Sequence, residues 1–107
     1  MSLFHTTNSL SEILEKSSLS PIIIFKYSSD CKSSDRLSKK LEQKIIDKSL
    51  SSTIYKIVVQ KQKALSEKIE EWSKIKHETP QIIKIYKNKV IYTAHHNTIN
   101  IDNFIYN

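Results

Sequence analysis

The sequence predicts an α/β domain built on a mixed four-stranded sheet with helices on both faces. Three observations carry this reading. Ile22-Ile23-Ile24-Phe25 is an unbroken apolar run, the pattern of a strand buried on both faces. Strand-like segments then alternate with two stretches of helical spacing, Leu37/Leu41/Ile45 and Leu65/Ile69/Trp72, so successive strands joined by helical crossovers run parallel. Near the end, two short strands flank Lys87-Asn88-Lys89, a connection so tight that it implies an antiparallel hairpin.

The elements follow in order. Ser9-Leu10-Ser11-Glu12 reads as a capping box, with the Ser9 hydroxyl and the Glu12 carboxylate serving free N–H groups of a first helix that carries Leu10, Ile13 and Leu14 on one side. Pro21 opens the first strand, Ile22 to Tyr27, and Ser28-Ser29-Asp30-Cys31 is a turn. The stripe of Leu37, Leu41 and Ile45 marks a helix from about Lys32 to Lys48. Ile54 to Val59 is a second strand, and Leu65, Ile69 and Trp72 mark a third helix with these three residues in the core. Gln81 to Tyr86 and Val90 to Thr93 form the hairpin, with Asn88 best suited to a positive φ. Asn97 or Thr98 is placed to cap a last helix carrying Ile101, Phe104 and Ile105. The order α-β-α-β-α-β-β-α, in one domain over residues 1–107, is that of a thioredoxin-like fold.

Composition excludes much other chemistry. The chain of 107 residues has one cysteine, so it holds no internal disulfide, no Cys-x-x-Cys pair and no zinc site with two cysteine ligands. It has no glycine, which excludes the Gly-rich phosphate loops and leaves caps and turns to Ser, Asn and Asp. A net charge of +6 arises from lysines spread along the chain among acids, the pattern of a solvated surface and not of a nucleic-acid site. Residues 1–16 lack the apolar core of a signal peptide, and the longest aliphatic run is far too short to span a bilayer. A cytoplasmic protein with a reduced thiol, with no bound cofactor and no nucleic-acid or membrane partner, is expected.

Cys31 is the candidate nucleophile. It lies between the buried strand and a helix, where unpaired N–H groups favour a thiolate, the species that attacks disulfides. Lys32 adds positive charge, and Ser28, Ser29, Ser33 and Ser34 offer hydroxyl donors. The bland alternative is a small buried hydrophobe. Ser34 occupies the third position after Cys31, where a dithiol enzyme carries its second cysteine, so any covalent intermediate must be intermolecular. Thr79-Pro80 starts a strand that runs antiparallel to the first, which puts it beside Cys31. A cis bond is expected there in a thioredoxin-like fold, leaving the Thr79 backbone to pair with a substrate chain. His77, His95 and His96 are expected at the same end, His95 and His96 on opposite sides of the strand unless it ends there. A zinc site of Cys31, His77 and His96 follows no known short motif, and no metal is expected. His5 is expected at the surface, and residues 59–62 are either a cleft wall or a polar loop.

Five motifs in one order resemble a known family. Pro21 to Ser28 running into Cys31 and Ser34, then Val58-Val59-Gln60-Lys61-Gln62, then His77-Glu78-Thr79-Pro80-Gln81, then Asn88-Lys89-Val90, then Ala94-His95-His96 are similar to the monothiol bacilliredoxins, thioredoxin-fold proteins of bacteria that use bacillithiol. Thr79 and His95 stand where the family has serine, Lys32 where it commonly has proline, and the hairpin glycine is missing. The resemblance covers about residues 20–105. It implies an oxidoreductase whose Cys31 takes bacillithiol, as co-substrate, from mixed disulfides of S-thiolated client proteins. It further implies that Lys32, Lys61, His77 or His96 meet the malate carboxylates of that thiol. Thr79, Pro80, His77 and His96 are the expected substrate-binding residues, in a monomer or weak dimer. The alternative is a non-catalytic thioredoxin-like adaptor with a passive Cys31.

Overall fold

The computed structural model describes residues 3–47 and 52–104. Three helices, α1 (Leu10–Ser17), α2 (Lys32–Ile46) and α3 (Lys63–Ser73), alternate with and precede four strands, β1 (Ile22–Tyr27), β2 (Thr53–Val58), β3 (Gln81–Tyr86) and β4 (Lys89–His95). The sheet order is β2-β1-β3-β4, with β1 parallel to β2, β1 antiparallel to β3 and β3 antiparallel to β4. This is the mixed four-stranded sheet that the apolar run, the crossovers and the hairpin predict.

Strand β1 is buried on both sides because its alternate residues enter two different cores. Ile23 and Phe25 pack with Leu37 and Leu41 of α2, together with Phe4, Ile54, Ile82 and Phe104. Ile22 and Ile24 pack with Ile13 of α1 and Leu65 and Ile69 of α3, together with Tyr55, Ile57, Ile83 and Ile85. Trp72 lies partly buried against this second core. Each fully buried Ile or Phe contributes about 1.5–3 kcal/mol over an exposed one. Leu37→Ala or Ile69→Ala is therefore expected to loosen the packing of one helix on one side of the sheet, at a cost of about 2–5 kcal/mol.

Local structure departs from the expected pattern at four points. Only half of the capping box forms: Ser9 Oγ accepts from Glu12 N at 3.1 Å, while the Ser9 N–H turns to Thr7 Oγ1 at 3.1 Å and Glu12 Oε2 accepts from the Tyr55 hydroxyl at 3.3 Å. Both Lys87 and Asn88 take positive φ, 51° and 64°, so the hairpin loop has two residues and β4 starts at Lys89. Ser17 supports that strained turn in place of glycine: its carbonyl accepts from Lys87 N at 2.7 Å and its hydroxyl from Asn88 N at 3.1 Å.

The last helix is replaced, among the described residues, by two short 3₁₀ turns, His96–Thr98 and Ile101–Asn103. Side chains compete with a helical ladder there. Thr98 Oγ1 accepts from His95 N at 3.0 Å and donates to His95 O at 2.6 Å, and Asn100 Oδ1 accepts from Asp102 N at 3.0 Å. The caps expected at Asn97 or Thr98 fall at His95 and Asn100. Phe104 is fully buried, while Ile105, like Lys48 at the expected end of the second helix, lies outside the described residues. His5 is exposed, but its backbone forms an isolated bridge to the β2 edge, accepting from Lys56 N at 3.1 Å and donating to Ile54 O at 2.9 Å. No helix among the described residues is long and apolar enough to cross a membrane.

Candidate active site

Strand register brings the chemistry-bearing residues to one end of the sheet. Lys26 pairs with Gln81, Gln81 with His95, and Tyr27 with Val58. The β1–α2 turn, the β2–α3 loop, the start of β3 and the end of β4 therefore share this end. Brought together here are Cys31, Gln60, Thr79-Pro80 and His95-His96.

Cys31 is the N-cap of α2, with extended backbone at φ −114° and ψ 116°, and its carbonyl accepts the first helical bond from Asp35 N at 3.2 Å. Its thiol is half-buried and unbonded to any other cysteine. The Ser34 N–H holds the thiol pKa below its ordinary value, the Ser34 hydroxyl adds to this, burial opposes it, and the Ser33 N–H and hydroxyl lower it further. These donors are the free groups of a helix's first turn, where the helix dipole also favours an anion. Ser34 is fully buried, and its Oγ accepts from Ser28 N at 3.3 Å, so its hydroxyl is fixed while it donates to sulfur. Lys32 is exposed at the first helical position, beside these donors.

The turn before the thiol is locked from β2. Gln60 Nε2 donates to Ser28 Oγ at 2.7 Å, and Gln60 Oε1 accepts from Ser29 N at 3.2 Å. Ser28 Oγ also accepts from Asp30 N at 3.3 Å, and Ser28 O accepts from Cys31 N at 3.2 Å. Ser28 thus shapes the turn, and Gln60 is a positioning residue that sequence reasoning left inside an unassigned polar segment. Gln62 serves elsewhere, donating to Thr7 O at 2.7 Å and accepting from Val58 N at 3.0 Å, which ties the N-terminal segment to β2. Lys61 is exposed.

Two cavities open at this end. One, of about 360 Å³, is lined by Val59, Gln60, Lys63, Ser66, Glu70 and His77. The other, of about 550 Å³, is lined by residues that include Ser33, Arg36, Lys40, Pro80, His96 and Asn100. The Thr79-Pro80 peptide is cis, and Pro80 O accepts from His96 N at 3.1 Å. Thr79 is half-buried and Pro80 buried.

The histidines expected in one neighbourhood are divided between these regions. His77 Nδ1 lies 3.2 Å from Lys26 Nζ and 3.3 Å from Ser66 Oγ, and its N–H donates to Glu70 Oε2 at 2.8 Å. Burial, and then the Lys26 charge, lower the His77 pKa. A lysine ammonium only donates, so Nδ1 accepts and the ring proton sits on Nε2. Lys26 itself is fully buried in β1, donates to Ser66 O at 3.2 Å, and has its pKa lowered by burial against the opposing pull of Glu70. His96 instead is exposed, with Nε2 3.7 Å from Glu78 Oε2 and Nδ1 3.2 Å from Nδ1 of His95.

Known structures share this architecture. A candidate oxidoreductase with a thioredoxin fold superposes with a TM-score of 0.79 at 19% identity, over 94% of this chain and 88% of its own. A thioredoxin variant from Halobacterium salinarum gives 0.70 at 13% identity, over 92% and 80% of the two chains. The oxidised thioredoxin of Plasmodium falciparum gives 0.65 at 15% identity, over 86% and 84%. These likenesses establish the thioredoxin fold. A search of curated proteins finds no relative. The profile of one family, described as monothiol bacilliredoxin BrxC, matches residues 2–104. Fold and family together support a role in thiol redox chemistry, and the chain belongs to the monothiol bacilliredoxin BrxC family.

Proposed function

We propose that the chain is a monothiol thiol–disulfide oxidoreductase that removes bacillithiol, or a similar small thiol, from protein mixed disulfides through Cys31. The observation that supports this most is the set of Ser34 and Ser33 donors on the Cys31 sulfur at the start of α2, with a hydroxyl at Ser34 where a second thiol would allow self-resolution.

The Cys31 thiolate attacks the small-thiol sulfur of the mixed disulfide. The disulfide bond between the client sulfur and the small-thiol sulfur breaks, and the client leaves as a thiolate that takes a proton from solvent. Cys31 then carries the small thiol in a new disulfide. A second small thiol, acting as the reductant, attacks that adduct; a disulfide of two small thiols leaves and the Cys31 thiolate returns. Ser34 contributes no sulfur, so neither step closes an internal bond. Thr79 and Pro80 are proposed to meet the client chain. In the larger cavity Arg36, Lys40 and His96 are proposed to meet the carboxylates of the thiol, with Asp102 in the same wall setting the limit on how much anionic charge is welcome. Such a site acts at the client surface of S-thiolated proteins in a reducing compartment, the cytoplasm.

The test is to incubate the reduced chain separately with mixed disulfides of bacillithiol, glutathione and coenzyme A on a client peptide, then weigh Cys31. A rapid bacillithiol adduct with free peptide released is expected. No adduct from any of the three, with Cys31 alkylating only after denaturation, would leave the chain a non-catalytic adaptor.

A further inference from the structure

His95 and His96 are neighbours on a strand, and a continuing strand would send their rings to opposite sides. The structure avoids this. His95 ends β4 in extended conformation, φ −146° and ψ 155°, and His96 switches to a positive φ of 49°. A positive φ is uncommon outside glycine, although histidine is among the residue types that adopt it more readily, and it costs of order 1 kcal/mol or more. Two backbone clamps hold it. His96 N donates to Pro80 O at 3.1 Å, and Thr98 Oγ1 accepts from His95 N at 3.0 Å while donating to His95 O at 2.6 Å.

The result is that both imidazoles share one side, with ring centroids 5.3 Å apart. Glu78, two residues before Pro80, joins them, and one ligand atom from each of Glu78, His95 and His96 lies within 4.8 Å of the others. The two Nδ1 atoms are 3.2 Å apart. Tetrahedral zinc with bonds of about 2.0–2.1 Å to nitrogen sets two ligand nitrogens roughly 3.3 Å apart. Both histidines are exposed and Glu78 is half-buried; its carboxylate stands 3.7 Å from His96 Nε2, so a side-chain turn of Glu78 or of the His96 ring brings it to the Nδ1 pair, where solvent completes the shell. Two imidazoles and one carboxylate suit a borderline divalent cation such as Zn²⁺, Ni²⁺ or Cu²⁺, and not Ca²⁺ or Mg²⁺, which take oxygen.

We propose that Glu78, His95 and His96 form a three-ligand site for a zinc-class divalent cation, with water as the remaining ligand. The site uses no cysteine and does not depend on the redox reading of Cys31.

The probe is Zn²⁺, titrated by calorimetry into the untagged chain carrying Cys31→Ser, so that the thiol does not compete. One Zn²⁺ per chain is expected. Losing a supporting group beyond the ligands typically weakens metal binding by roughly 10–100-fold, so His95→Ser and Glu78→Gln, which remove ligands outright, are each expected to weaken it by at least about tenfold. Histidine-ring NMR gives a second measurement: Zn²⁺ should shift the His95 and His96 resonances and leave those of His5 and His77 in place. An unchanged affinity in both variants, or zinc shifts confined to His5 or His77, overturns the assignment, as does the absence of 1:1 binding.

Discussion

His77 and His96 lie at the same end of one sheet and live in opposite circumstances. His77 is half-buried against α3, its Nδ1 taken by the buried Lys26 ammonium and its pKa lowered by burial and by that charge. His96 is exposed beside Glu78 and His95 and lines the cavity that Ser33 and Arg36 of α2 also line. They line different cavities, His77 one walled by α3 and His96 one walled by α2. His77 is a partner of the buried Lys26 side chain.

The comparison breaks most completely at the thiol at this same end of the sheet. Cys31→Ser should abolish client release in the mixed-disulfide assay while leaving the fold intact, since the site's donors and the α2 cap geometry do not need sulfur. Residual turnover above background in this variant would remove Cys31 from the mechanism.

Next in size is Lys26→Met. The change leaves Ser66 O and His77 Nδ1 without their donor. A stranded buried polar group costs about 1–3 kcal/mol, partly offset here by relief of the buried ammonium. The urea midpoint should fall, and the His77 pKa, measured by NMR, should rise because a charge that lowers it is gone. No change in the His77 titration would mean that the two groups are not coupled.

A smaller effect is expected at Ser34→Ala. The Ser34 N–H, the larger contributor to the lowered Cys31 pKa, remains, and only the hydroxyl is lost. Alkylation of Cys31 near neutral pH should slow by roughly three- to tenfold, within the net range of one ordinary hydrogen bond. Gln60→Ala tests the same thiol from further out: it releases Ser28 and Ser29, so adduct formation should slow while the midpoint of the alkylation pH profile moves less than in Ser34→Ala.

Much of this arrangement was legible in the sequence. The two-sided burial of β1 follows from four consecutive apolar residues, and the meeting of Cys31, Pro80 and His96 at one end follows from topology alone. What was hidden depends on distant pairings. Lys26 reads as the polar end of a strand, yet it is fully buried because Ser66 and His77, 40 and 51 residues away, receive its protons. Gln60 looks like any polar loop residue until Ser28 and Ser29 are placed against it. The final helix failed for a local reason: Thr98 and Asn100 bond backbone groups that a helix would have used.

The smallest expected effect is on the pH dependence of stability, and it follows from the sign of the His77 shift. The folded pKa is lowered from 6.5, so between the folded value and 6.5 the unfolded chain binds more protons than the folded one. Stability from this group is therefore fully present above pH 6.5 and is lost as pH falls through that window. His77→Gln keeps an acceptor for Lys26 and removes the titration. Its urea midpoint should vary less than the wild type's between neutral pH and pH of about 5, where carboxylates still hold most of their charge. An equally steep acid limb in both would assign the loss to other groups. A flatter acid limb in His77→Gln would show that the lowered His77 pKa itself shapes stability below neutral pH.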